Sequence, residues 1–241
     1  SLTGIMDNYL LSKTVDSKKW LKELKAQAID VNRIYADKLG VPASAAITCV
    51  KPSGTVSQLT DTASGIHARH SEYYIRTVRG DNKDPLTQFM KDSGIPAEPC
   101  VMKPDSTTVF SFPTKSPSGA VTRNDMTALQ QLELWKNYAL HWCEHKPSVT
   151  ITVKDAEWMA VGAWVYENFD ICSGISFLPH SDHSYAQAPY QEIDKEQYKE
   201  LKKQMPESID WSALSLYEKE DTTSGSQTLA CTAGACELVD I

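Results

Sequence analysis

The sequence has no long apolar run. Nothing in its 241 residues approaches the roughly 18 consecutive apolar side chains that a membrane-spanning helix needs, so no membrane partner is expected. Its N-terminal stretch, SLTGIMDNYLLSKTVDSKKW, lacks the basic segment and apolar core of a secretory leader. An excess of basic charge is also missing: 24 Lys and Arg face 31 Asp and Glu, a net charge of −7. Non-specific binding to nucleic acid rests on clustered cations, so no direct nucleic-acid partner is expected, although a local basic pocket for phosphate stays open. Internal repeats and low-complexity tracts are absent. Close cysteine pairs are absent too, with one exception: Cys49, Cys100, Cys143 and Cys172 are scattered, and only Cys231 and Cys236 are near neighbours. Scattered thiols without a secretion signal point to a reducing, cytoplasmic setting. The chain opens on Ser1 rather than Met, and the expectation is a fragment, a split-gene product or a processed product.

What is present reads as an ordinary folded protein. Hydrophobic residues make up 41% and charged residues 23%, and the length allows one large domain or two small ones with a real core. From Ser17 to Leu39, Trp20, Leu21, Leu24, Ala28, Val31, Ile34 and Tyr35 recur at three- and four-residue steps, which predicts a helix stopped by Gly40. Ala45 to Val50 is short, apolar and partly β-branched, so a buried strand is expected. Further strands are expected at Tyr73–Arg79, Thr107–Pro113, Ser148–Val153 and Gly174–Leu178. Helices are expected at Pro85–Ser93, from Thr122 or Asn124 as cap through Trp142, after a cap at Asp155, and at Lys195–Met205. This alternation of strand and helix gives an α/β class. After Glu218 the composition turns to Ser, Thr, Gly and charge without sustained periodicity. Residues 1–217 are therefore expected to form the folded part and 218–241 a flexible tail.

Four segments carry chemistry. The tail holds CTAGAC, where Thr232, Ala233, Gly234 and Ala235 separate Cys231 from Cys236. Small residues let the chain fold back far enough to close a disulfide, so a redox-exchanging dithiol is the leading reading. Idle thiols or half of a zinc site are the alternatives; zinc wants a second close pair, and Cys143 with His145 is a weak one. The second segment is Lys51-Pro52-Ser53-Gly54-Thr55-Val56-Ser57. A strand feeding a loop of glycine and hydroxyl side chains suits phosphate if a helix starts near Thr55, but the lysine precedes the glycine and no GK[ST] follows, so it is not a Walker A loop. The third, Ser64 to Ser71, puts His67, Arg69 and His70 in one loop with Gly65, either lining the same pocket or simply solvated. The fourth, Ser173 to Pro179 leading to His180, Asp182 and His183, reads as a polar loop at a strand end rather than a metal cluster. No metal site is expected.

With these residues in view the chain resembles the C-terminal third of adenosylcobalamin-dependent (class II, monomeric type) ribonucleoside-triphosphate reductases. The resemblance is carried in order by SLTGIMDN, KPSGTVSQL, GIHARHSEYYIRTVR, VTITVKDAEWMAVGAWVYENFDICSGISFLP, YAQAPYQEI and CTAGAC, and it covers essentially the whole chain. It implies a ten-stranded α/β barrel, to which residues 1–217 contribute the C-terminal portion. It implies that Pro52, Ser53, Gly54, Thr55, Val56 and Ser57 hold substrate phosphates. It also implies that Cys231 and Cys236 re-reduce an active-site disulfide and are themselves reduced by thioredoxin or a similar dithiol. The implied cofactor is adenosylcobalamin, whose Co–C homolysis generates a cysteine thiyl radical, with Gly65, His67 and His70 near it. The family's radical cysteine and its neighbouring glutamate lie in an NPCGE-type segment, and this chain has none. The resemblance therefore implies a missing N-terminal part as a partner. It leaves open a diphosphate reductase, and a non-catalytic nucleotide-binding lobe.

Overall fold

The computed structural model describes residues 1–12, 14–54, 56–180 and 185–219. In chain order the regular elements are α1 (Tyr9–Ser12), α2 (Thr14–Leu39), α3 (Val56–Leu59), β1 (Tyr73–Asp81), α4 (Pro85–Asp92), β2 (Ala97–Pro99), β3 (Thr107–Lys115), α5 (Ala128–His141), β4 (Val149–Val153), α6 (Trp158–Glu167), β5 (Ile175–Pro179), β6 (Tyr190–Glu192) and α7 (Lys195–Gln204). Short 3-10 turns sit at Ile5–Asp7, Asp155–Glu157, Phe169–Ile171 and Trp211–Leu216. The chain divides into two compact units, residues 1–69 with 117–180, and residues 70–116 with 181–241. No helix among the described residues is long and apolar enough to cross a membrane.

The first unit is built on α5. Leu132, Leu134, Trp135 and Tyr138 from that helix are fully buried against Ile5, Met6, Leu21, Val50, Ile151 and Val153. Its aromatic side chains bury apolar bodies and still place their polar ends on backbone carbonyls. The Trp135 indole N–H donates to Pro147 O (3.0 Å), and the Tyr138 hydroxyl donates to Leu11 O (2.9 Å). The strands β4 and β5 pair in parallel, from Val149 opposite Ile175 to Val153 opposite Pro179, with α6 as the crossover between them. A parallel pair needs such a crossover, and this is the α/β element that the alternating pattern called for. The helix α2 ends where Gly40 takes a positive φ of 66°, with Val41 N–H reaching back to Ala36 O (3.1 Å).

The second unit is an antiparallel sheet in the order β2-β3-β1-β6, with α4 and α7 against it. Along β1, register runs from Tyr73 opposite Lys115 to Asp81 opposite Thr107 on β3. Its core holds Tyr74, Phe89, Ile95, Val109 and Phe110. The Asp84 side chain caps α4 by accepting from Leu86 N–H (2.9 Å), with Pro85 at the first helical position.

Three sequence expectations are corrected. Residues 45–50 are not a strand. Their backbone groups are satisfied without a ladder: Ile47 and Thr48 N–H donate to the Glu144 carboxylate (2.6 and 3.0 Å), and Leu2 N–H and the Trp142 indole donate to Cys49 O (3.0 and 2.9 Å). Those bonds also hold the Glu144 carboxyl below its usual range. The cap of α5 is Thr127, not Thr122 or Asn124. It forms a capping box with Gln130, while Thr122 is occupied by the Asp125 carboxylate (2.7 Å). Asp155 does not cap α6 either; it opens a 3-10 turn in which Glu157 reaches back to Lys154 N–H (2.9 Å).

Candidate functional site

The two loops singled out in the sequence come together in the first unit. After Val50 the chain passes through residues 51–57, makes the single turn of α3, and returns through residues 60–69. Ser53 N–H donates to Ser64 Oγ (3.1 Å), which ties the two passes together. Gly65 has φ +55°, and a Cβ there would stand 2.8 Å from Lys51 O. Only glycine allows this crossing, because any other residue would combine a strained conformation with a backbone clash. Gly65 N–H in turn donates to Thr3 Oγ1 (3.0 Å), so the N-terminal segment SLTGIMDN braces the return pass.

Arg69 locks the arrangement. Its guanidinium makes a two-pronged contact with Asp7, Nε to Oδ1 and Nη2 to Oδ2, both 2.9 Å. It also reaches the Asp61 carbonyl (2.6 Å) and carboxylate (3.2 Å). The arginine side chain is 5% exposed and that of Asp7 14%. Asp7 Oδ2 also accepts Ala63 N–H (2.8 Å). One buried ion pair thus fixes the turn that carries Asp61, which itself has a positive φ of 48°.

Within residues 51–57 the hydroxyls are partly spent. Ser57 is fully buried, and its O–H donates to Ser53 O (2.6 Å) while its N–H donates to Ser53 Oγ (2.8 Å). Ser53 keeps its own hydroxyl proton as a donor. Gly54 is exposed, and a Cβ there would meet nothing within 4 Å. Thr55 lies outside the described residues. The helix that follows, α3, has only four residues, so its dipole adds little, and anion affinity would rest on N–H groups, the Ser53 hydroxyl and the charge of exposed Lys51.

The two histidines separate. His67 is held inside the first unit: Thr150 N–H donates to Nε2 (3.0 Å), which leaves the ring proton on Nδ1 facing Ser64 O (3.1 Å). Both ring nitrogens are engaged, so the imidazole pins the return loop to β4 and offers no nitrogen to a metal or cofactor. Burial disfavours the imidazolium and lowers the pKa below 6.5, the Ser64 carbonyl opposing it in part. Below pH 6.5 the unfolded chain takes up a proton that the fold resists, so stability should fall as the pH drops under that value. We expect His67→Gln to flatten the slope of unfolding free energy between pH 7 and pH 5, measured by denaturant titration; equal slopes would contradict the assignment. His70 belongs to the second unit, where its ring stacks on Tyr190 (5.6 Å between centroids, 12° between planes) and Arg76 lies 4.4 Å from the Tyr190 ring centre.

Beside the return loop a cleft of about 430 Å³, including its open mouth, is lined by Met6, His67, Arg123, Gln131, Thr150 and Thr152. Arg123 had no signal in the sequence, since it follows a turn and shows no periodicity. No group of three His, Cys, Asp or Glu side chains among the described residues is arranged to hold a metal ion. The described cysteines are all free thiols. Burial pushes the Cys143 thiol up to about 11. Cys100 goes the other way: burial would raise it, but the N–H groups of Met102 and Lys103 and the Arg79 guanidinium outweigh that and leave it below 9.0. Cys231, Cys236, Asp182 and His183 lie outside the described residues.

No protein-family model matches the chain. Curated relatives match nearly all of it. An adenosylcobalamin-dependent ribonucleoside-triphosphate reductase of Euglena gracilis is 30% identical over 98% of this chain and 32% of its own length. A probable adenosylcobalamin-dependent ribonucleoside-triphosphate reductase of Dictyostelium discoideum is 29% identical over 99% of the chain and 31% of its own. The reductase of the same name from Lactobacillus leichmannii is 29% identical over 91% of the chain and 30% of its own. A crystal structure of a B12-dependent (class II) ribonucleotide reductase superposes with a TM-score of 0.73 at 26% identity, covering 84% of this chain and 28% of that one. The chain spans about a third of the length of the curated relatives it matches.

Proposed function

We propose, from this homology, that the chain is the C-terminal portion of an adenosylcobalamin-dependent ribonucleoside-triphosphate reductase. The observation that carries the reading is similarity along 98% of the chain to a reductase of that name. In this reading residues 1–217 belong to a ten-stranded α/β barrel, residues 218–241 are its reducing tail, and the rest of the enzyme comes from sequence the chain does not span.

Each part of the chain then has a task. Removing a 2′-hydroxyl and replacing it by hydrogen consumes two electrons and two protons and releases water; two cysteine thiols supply both and become a disulfide. Cys231 and Cys236 regenerate those thiols: one attacks the disulfide as thiolate, a mixed disulfide forms, and the second resolves it, leaving Cys231–Cys236 oxidised. Thioredoxin or a similar dithiol returns the tail to its reduced state. The loop Pro52–Ser57 receives the substrate phosphates on the Ser53 hydroxyl and on those N–H groups that Ser64 and Ser53 do not already take, with Gly54 leaving room for close approach. Adenosylcobalamin supplies radical initiation when bound. Of the residues expected near it, His70 stacks on Tyr190, and Gly65 and His67 are already committed: the space at Gly65 faces Lys51 O and both His67 nitrogens are engaged. Their role is to hold the return loop against the phosphate loop.

The loop assignment is tested with a chimera in which this chain replaces the matching third of the Euglena gracilis relative. Gly54→Ala should leave the fold unchanged, because the added methyl meets open space, and should raise KM for the triphosphate roughly 10-fold with kcat retained, the worth of about one hydrogen bond. An unchanged KM removes the loop from the substrate site. Preference for a diphosphate in the same assay would favour a diphosphate reductase instead.

A further inference from the structure

The crossover helix α6, with the sequence WMAVGAWVYE, is apolar nearly all round, a composition that belongs to a helix buried on every side. Yet within its own unit it buries only Val161 and Trp164. Met159 is 88% exposed, Tyr166 85%, and Phe169 just beyond the helix 73%. Met159, Gly162, Ala163 and Tyr166 are spaced by three and four residues and so share one face. Between the two large side chains, Gly162 and Ala163 leave a notch, and a Cβ at Gly162 would meet nothing within 4 Å. A ridge of side chains on another helix fits such a notch. The two strands that α6 connects form a parallel pair, and parallel sheets are otherwise found covered by helices on both faces.

We propose that this face of α6 is the docking surface for an apolar helix from the part of the reductase polypeptide that this chain does not span. The inference rests on the reading under Proposed function. Two observations select that occupant. The relatives carry about two thirds of their length outside the match, ample for further helices. The same unit exposes a second apolar stripe on α2, with Leu24, Val31 and Tyr35 all more than 40% exposed. A symmetric contact with a second copy covers one self-complementary patch, whereas a larger polypeptide continuous with the fold covers both. The absence of any charged residue from Trp158 to Tyr166 requires the partner's facing stripe to be apolar as well.

The test introduces Met159→Cys and Tyr166→Cys separately and measures maleimide labelling at each, by mass spectrometry of the labelled peptide. Rates are compared between the isolated chain and the chimera with the Euglena gracilis relative, with Lys203→Cys as a surface control. The expected result is labelling slowed at least ten-fold at both α6 positions in an active chimera, with the control unchanged. A chimera that reduces nucleotide but labels at the isolated-chain rate overturns this inference and leaves the functional reading intact. An inactive chimera beside an active parent overturns the functional reading, and this inference with it. Slow, concentration-dependent labelling in the isolated chain assigns the face to a second copy and overturns the inference.

Discussion

Cys231→Ser should reduce multiple turnover with thioredoxin as reductant by at least about 100-fold while leaving turnover driven by a small dithiol near the unaltered rate. Access to the disulfide separates the two reductants. On the proposed reading the disulfide lies inside a barrel, where a small dithiol would reach it directly and a folded protein reductant would not, so the tail would carry the electrons between them. Loss of either sulfur breaks the exchange at a definite step. With Cys231 or Cys236 alone, a mixed disulfide forms but is not resolved, since resolution requires the second thiolate. Cys236→Ser should therefore behave like Cys231→Ser, and the double variant should be no worse than either, as expected for groups that act as a unit. The assay is steady-state deoxynucleotide formation in the chimera with each reductant in turn. Equal rates with both reductants in the variants would show that the tail is not the shuttle.

The second large effect is structural. Arg69→Ala should cost about 3–5 kcal/mol of stability, because it leaves the Asp7 carboxylate nearly buried and without its partner. The contact with the Asp61 carboxylate contributes much less, since that side chain is 73% exposed. Arg69→Lys should recover little, because an ammonium cannot reproduce the paired bonds to Asp7 or reach the Asp61 carbonyl at the same time. Denaturant unfolding of the isolated chain is the measurement. A loss under about 1 kcal/mol would mean that the return loop is held by its backbone bonds and Gly65 rather than by the ion pair.

The site was legible in the sequence only where the signal is local. The helix at α2, the strands at β1, β3, β4 and β5, and the helices α4 and α7 lie where local sequence places them, and Gly40 ends α2 with a positive φ. The cap of α5 was available as well: Thr127-Ala-Leu-Gln130 is a capping box, outcompeting the two polar residues upstream. Residues 45–50 failed because an apolar extended run says nothing about whether a partner strand is present; here Glu144, almost a hundred residues away, takes the N–H groups. The three-residue strands β2 and β6 carry too few side chains to give a period. In the same way, no local pattern announces that Arg69 pairs with Asp7 or that His67 serves β4, since each contact joins residues more than 60 positions apart. The exposure of α6 is the converse case. Its apolar sequence was plain, but only the fold reveals that its own unit leaves it uncovered.

The chimera that joins this chain to the unmatched two thirds of the Euglena gracilis relative is given a ribonucleoside triphosphate and thioredoxin, and 2′-deoxynucleotide is quantified with and without adenosylcobalamin. Product is expected only when adenosylcobalamin is supplied, and its loss is expected on Cys231→Ser. Product formed without the cofactor, or none from the chimera while the parent reductase is active, would contradict it.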